Sequence, residues 1–154
     1  MKIILYIIIY LMTADIIFCD ETGIIKLTNS IGVEQINFNY GYSLYINVED
    51  SDRNLDENEK DTILVSVLSE TEILEEPVWI TETGNNTGIF RGSITFEESE
   101  IATNLDNILQ IQRGEKITGI YIDPSNDFNN EQTITDIAFY RVSLLSGPIS
   151  TFTT

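Results

Sequence analysis

Ser43-Leu44-Tyr45-Ile46-Asn47-Val48 and, after an acidic interval, Thr62-Ile63-Leu64-Val65-Ser66-Val67-Leu68 are the two runs on which the fold turns. Successive side chains of a strand point to opposite faces, so Leu44, Ile46 and Val48 share one side of the first run. Ile63, Val65 and Val67 share one side of the second. An amphipathic helix needs apolar residues at a spacing near 3.6, and no stretch beyond the N-terminus sustains it. Isoleucine, valine, threonine and aromatic residues fill the runs, while Asn, Asp, Gly and Ser separate them, as strand and turn chemistry require.

Outward from this pair, similar runs recur at 24–28, 77–81, 89–96, 108–112, 117–122 and 133–142, with Phe90, Ile94 and Phe96 on one side of the 89–96 run. The prolines, at 77, 124 and 148, fall at run edges or in connections. The pattern predicts an all-β antiparallel β-sandwich of about seven to eight strands. A short helical turn is expected at 98–102, inside a polar connection. No internal repeat is present.

The N-terminus reads differently. Lys2 precedes an apolar run from Ile3 to Met12, which has the length of a secretory signal, and Asp15 interrupts it before the roughly 20 residues a spanning helix needs. Residues 1–19 are therefore expected to be a cleaved signal peptide and 20–154 a single domain, extracellular or at the cell surface, with no membrane span after cleavage. Cys19 stands either at the residue before the cut or as the lipid-bearing first residue of a lipoprotein; Phe18 is large for the latter. It is the only cysteine, so no disulfide framework is available.

Asp and Glu number 25 against 8 Lys and Arg, for a formal net charge of −17, and histidine is absent. Such a balance argues against nucleic acid and anionic membranes, whose binding starts from a positive patch, and favours divalent cations as partners. Without histidine, most zinc, copper and haem chemistry and the common nucleophile and base pairs are excluded.

Between the two opening runs, oxygen side chains recur at Asp50, Asp52, Asn54, Asp56, Asn58 and Asp61. These are positions 1, 3, 5, 7, 9 and 12 of a loop that can wrap six or more hard oxygens round Ca²⁺. Leu55 stands where such loops place glycine, and Asp61 replaces the longer glutamate. The competing reading is a solvated acidic turn in which Asp and Asn bond their own backbone. Glu82, in the strand connection Thr81-Glu82-Thr83-Gly84-Asn85-Asn86-Thr87-Gly88-Ile89-Phe90, and Asp123, in Tyr121-Ile122-Asp123-Pro124, are candidates to complete the metal shell.

Taken in order, the acidic loop, Asp61-Thr62, the 81–90 hairpin and Tyr121-Ile122-Asp123 resemble a repeat domain of large bacterial surface, adhesin-like and S-layer-like proteins. The resemblance covers about residues 41–140 and implies an immunoglobulin-like sandwich without enzymatic activity, stabilised by calcium and used to build surface structures. That family carries the unit in tandem and this chain holds one. The expectation is thus a small secreted protein, a surface lipoprotein or one subunit of an assembly, with other surface proteins or copies of itself as partners. The segment 143–154, with Ile149, Thr151 and Phe152, is a candidate for adding to a neighbour's sheet edge. A carbohydrate-binding or partner-binding accessory domain shares the same architecture and stays open. Paired acids such as Glu75 and Glu76, or Asp50 and Asp52, admit a glycosidase in principle but read as surface charge, and Trp79 is the only tryptophan available to line a cleft.

Overall fold

A computed structural model of the chain describes residues 21–39, 41, 43–126, 128 and 130–141. The expected signal peptide, Cys19 and the 143–154 segment lie outside them. The described residues form nine strands: β1 (Ile24–Thr28), β2 (Asn37–Phe38), β3 (Leu44–Glu49), β4 (Thr62–Leu68), β5 (Glu76–Glu82), β6 (Ile89–Glu98), β7 (Ile108–Ile111), β8 (Lys116–Asp123) and β9 (Gln132–Tyr140). One turn of 3₁₀ helix, Ser51–Arg53, follows β3.

The strands hydrogen-bond in the order β1-β3-β6-β5-β4-β8-β9-β2, with β7 attached beside β6. Most pairs are antiparallel, as expected, but β2 runs parallel to β9 and β7 parallel to β6. The sheet is therefore mixed. Pairing is unbroken from β5 to β4, from Thr62 opposite Thr81 to Val67 opposite Glu76, so the sheet curls into a half-barrel. Its ends approach one another where the Leu27 N–H of β1 donates to Asp136 Oδ2 of β9 at 2.7 Å. No helix among the described residues is long and apolar enough to cross a membrane.

Strand alternation sets the interior. Leu44, Ile46 and Val48 of β3, Ile63, Val65 and Val67 of β4, Val78 and Ile80 of β5, and Phe90 and Ile94 of β6 are all buried, and Phe96 packs against them. A helical turn at 98–102 does not form: β6 carries on to Glu98 and is followed by bends, because its last four residues pair with β7. The one helical turn among the described residues sits instead in the acidic loop. Glu76 is also not surface charge. It shares the inward parity of Val78 and Ile80 and is buried.

Gly92 shows how tightly neighbouring strands pack, since a Cβ there would overlap the side chain of Ile80 on the adjoining β5 and come within 3.2 Å of its Cα. Overpacking of this kind costs about 1–3 kcal/mol. Gly92→Ala is expected to lower stability by that amount in urea denaturation, while Ser93→Ala, on the exposed face, leaves it within about 0.5 kcal/mol. Equal effects of the two would contradict the packing.

Candidate functional site

The antiparallel pairings bring the ends of β3, β5 and β8 and the starts of β1, β4 and β6 to one end of the half-barrel. At that end the inward row of each strand continues one step past its apolar residues into an acid. Leu44, Ile46 and Val48 lead to Asp50; Val78 and Ile80 lead to Glu82; Ile117, Gly119 and Tyr121 lead to Asp123. Asp50, Glu82 and Asp123 are each at most 3 % exposed. Burial costs a carboxylate its hydration, so each must find donors.

Asp50 finds two. Its Oδ2 accepts the Tyr121 hydroxyl at 2.5 Å, and its Oδ1 caps the 3₁₀ turn by accepting the Asp52 N–H at 3.0 Å. Burial nevertheless pushes its carboxyl above the ordinary aspartate range; Tyr121 opposes the shift and the charge of Asp123 adds to it. Burial and the same Asp50 carboxylate drive the Tyr121 hydroxyl far upward, so it serves as a donor throughout. Asp123 accepts the Gly23 N–H at 2.9 Å and the Ser125 N–H at 2.9 Å. Gly23 is wedged between these groups: a Cβ there would lie 2.8 Å from the Tyr121 ring and 2.9 Å from Asp50 Oδ2. The end of β8 thus does approach the Asp50 loop.

Glu82 holds the hairpin. Its Oε1 accepts from the Thr87 N–H, the Thr87 hydroxyl and the Gly88 N–H at 2.5, 3.0 and 2.7 Å. Burial works against its ionised form, but these donors outweigh it and hold the carboxyl below the ordinary glutamate range. Gly88, with φ +61°, packs against the Ser51 backbone, and its carbonyl accepts the Asp50 N–H at 2.8 Å. The hairpin is therefore bolted to the acidic loop as a rigid connection.

The remaining loop residues divide. Asp52 Oδ2 accepts the Glu21 N–H at 2.7 Å. Asn54 donates its amide to Asn86 Oδ1, while its own Oδ1 is buried and meets no donor. Asp61 turns back to accept the Leu55 and Asp56 N–H groups at 2.6 and 3.0 Å, and Asp56 accepts from Asn58. Asp50 and Asp123 thus meet at the ends of β3 and β8, Asp52 and Asn54 turn to Glu21 and Asn86, Asp56, Asp61 and Glu82 accept loop N–H groups, and Asn58 donates its amide to Asp56. Among the described residues no three Asp or Glu side chains stand together as a metal-binding group. The chain matches no known protein family, and no curated protein is significantly similar to it.

Sequence reasoning missed Tyr121 and Gly23, which join Asp50 from far along the chain, and the buried acids Glu72 and Glu76. Inward parity in β5 was the available signal for Glu76.

A carboxyl whose folded pKa is depressed stabilises the fold above its unfolded pKa and loses that contribution as pH falls through the folded value. Glu82→Gln should therefore melt below the wild type at neutral pH, with the gap closing in acid. A gap that stays constant in melts across this range would show that the Glu82 charge does not hold the hairpin.

Proposed function

We propose that this chain is an exported, non-enzymatic, calcium-binding structural or adhesive module of the cell surface, with an immunoglobulin-like sandwich as its parent architecture. The strand order supports the finer architecture. β1-β3-β6-β5 and β4-β8-β9 follow the A-B-E-D and C-F-G sheets of that fold, here left hydrogen-bonded to one another through the β4–β5 hairpin.

The observation that carries the calcium reading is the meeting of two buried acids, Asp50 and Asp123, with, in the loop that Asp50 opens, an Asn54 oxygen buried without a donor. Like charges packed at one barrel end disfavour the folded state, and a hard cation relieves them. Asp50, Asp52, Asn54 and Asp123 would hold the ion, which supplies charge neutralisation and a bond between the β3 and β8 ends. Asp61 and Glu82 brace the frame through their backbone contacts. A cation bound only by the folded state at ten times its Kd adds about 1.4 kcal/mol, which raises the melting temperature of a domain this size by a few degrees.

One observation favours a second reading, a partner-binding or carbohydrate-binding face. Trp79 is 69 % exposed opposite Leu64, itself 45 % exposed, and a shallow depression beside Leu64 is lined by Ile120, Ile122 and Pro124. Fluorescence of Trp79, the single tryptophan, would respond to such a ligand.

Thermal melts decide the first reading. Calcium should raise the melting temperature over chelator, and magnesium should do less because its small octahedral shell fits a many-oxygen loop poorly. Asp50→Asn should remove most of the calcium shift and Glu59→Gln, at an exposed loop acid outside the set, should leave it. Equal melting temperatures in calcium, magnesium and chelator would sink the proposal.

A further inference from the structure

A second set of acids closes the opposite end of the half-barrel and takes no part in the calcium reading. Glu72, in the connection between β4 and β5, and Glu76, which opens β5, are both fully buried. Glu76 is doubly bound: its Oε2 accepts the Leu105 N–H and its Oε1 the Asn107 N–H, each at 2.5 Å. Leu105 and Asn107 adopt φ of +63° and +65°, the left-handed region that residues other than glycine enter at a cost. Their loop is bent so that two N–H groups reach one carboxylate.

Glu72 is different. Its Oε2 accepts the Gln110 N–H of β7 at 2.9 Å, but its Oε1 is buried and has no donor, and the group it lies against is the Glu76 carboxyl. The ionisable groups that face it are all acids. Glu76 comes from β5, and Asp106 comes from the β6–β7 connection, where it accepts from the Ile108 N–H and the Gln110 amide. Glu115, just before β8, accepts from the N–H and hydroxyl of Thr71 beside Glu72. The ion pairs of the described residues, Lys26 with Glu49 and Arg113 with Glu98, do not involve this cluster.

Two ionised carboxylates in contact without water or a cation are not stable, and one of the pair takes up a proton. Two N–H donors favour the charge on Glu76. The orphaned oxygen of Glu72 then becomes an O–H donor with an acceptor in front of it, and the unsatisfied atom disappears. We propose that Glu72 is a neutral acid in the folded domain, donating its proton to Glu76, and that this shared proton is a pH-set latch between the β4–β5 connection and the 103–107 loop with β7.

Burial first, and then the Glu76 and Asp106 charges against the Gln110 N–H, raise the Glu72 carboxyl above the ordinary glutamate range, in keeping with the geometry. The sign is opposite to that of Glu82. A raised folded pKa gives stability that is fully present below the unfolded value and is lost as pH rises through the folded one. Once Glu72 ionises, two buried charges repel, and the strain falls on β7, whose Gln110 N–H is held by Glu72.

Carbon-13 NMR of the glutamate carboxyls in the full chain, with calcium chelated, tests this directly. Glu72 should titrate above the ordinary glutamate range, with the Leu105, Asn107 and Gln110 amides shifting at the same midpoint. Glu72→Gln retains a donor toward Glu76 and an acceptor for Gln110, so it should fold and lose the pH-dependent fall in stability assigned to Glu72. A Glu72 midpoint within or below the ordinary range overturns the proposal. So does a Glu72 signal that moves on adding calcium at fixed pH, which would make the occupant a cation and not a proton.

Discussion

Every backbone N–H group withdrawn from water must meet an acceptor, and at several seams of this sheet that acceptor is a carboxylate. Asp123 takes the Gly23 N–H and Asp136 the Leu27 N–H, along the outer edge of β1 where no further strand pairs. Glu82 takes those of Thr87 and Gly88, and Glu76 those of Leu105 and Asn107. Hydrogen bonds to charged groups contribute about 1.5–3 kcal/mol each, more than neutral ones, so short connections can be held without disulfides or large loops. The half-barrel closes because its acids reach across the gaps its ladders leave.

The acidic composition takes on a specific meaning in this light. Ion pairing has a small part: Lys26 with Glu49 at 3.3 Å and Arg113 with Glu98 at 2.7 Å lie at partly exposed positions, where such pairs contribute about 0–1 kcal/mol. The buried acids are instead concentrated at the two barrel ends, and the ends accommodate them in different ways. Hydroxyl and N–H donors meet Asp50 and Asp123, whereas Glu72 lies by Glu76 with one oxygen that no donor reaches. A cation suits the first arrangement and a proton the second.

Much of the strand pattern was legible. The 62–68 and 24–28 runs coincide with β4 and β1, and the other main strands agree within a residue or two, because alternation of Leu44, Ile46 and Val48 or of Ile63, Val65 and Val67 is a local property. Asn37–Phe38 is too short to show a period, and the parallel attachment of β7 and the curl depend on pairings between distant segments. The acidic loop was visible as a run of oxygens and Asp123 as a candidate to join it, but the Tyr121 hydroxyl on Asp50 was not, since Tyr121 stands 71 positions on. Glu76 was misread as surface charge because two adjacent acids suggest solvent. Its parity with Val78 and Ile80, in the same strand, already placed it inside.

The central claim is that carboxylates do for the seams what strand ladders do for the sheet, and amide hydrogen exchange measures it most directly. At neutral pH the N–H groups of Gly23, Leu27, Gly88, Leu105 and Asn107 should be protected to a degree comparable with amides inside β3 and β4, opening only with the domain. Exchange of these amides at the rate of solvent-exposed loops, while the β3 and β4 amides stay protected, would contradict the account.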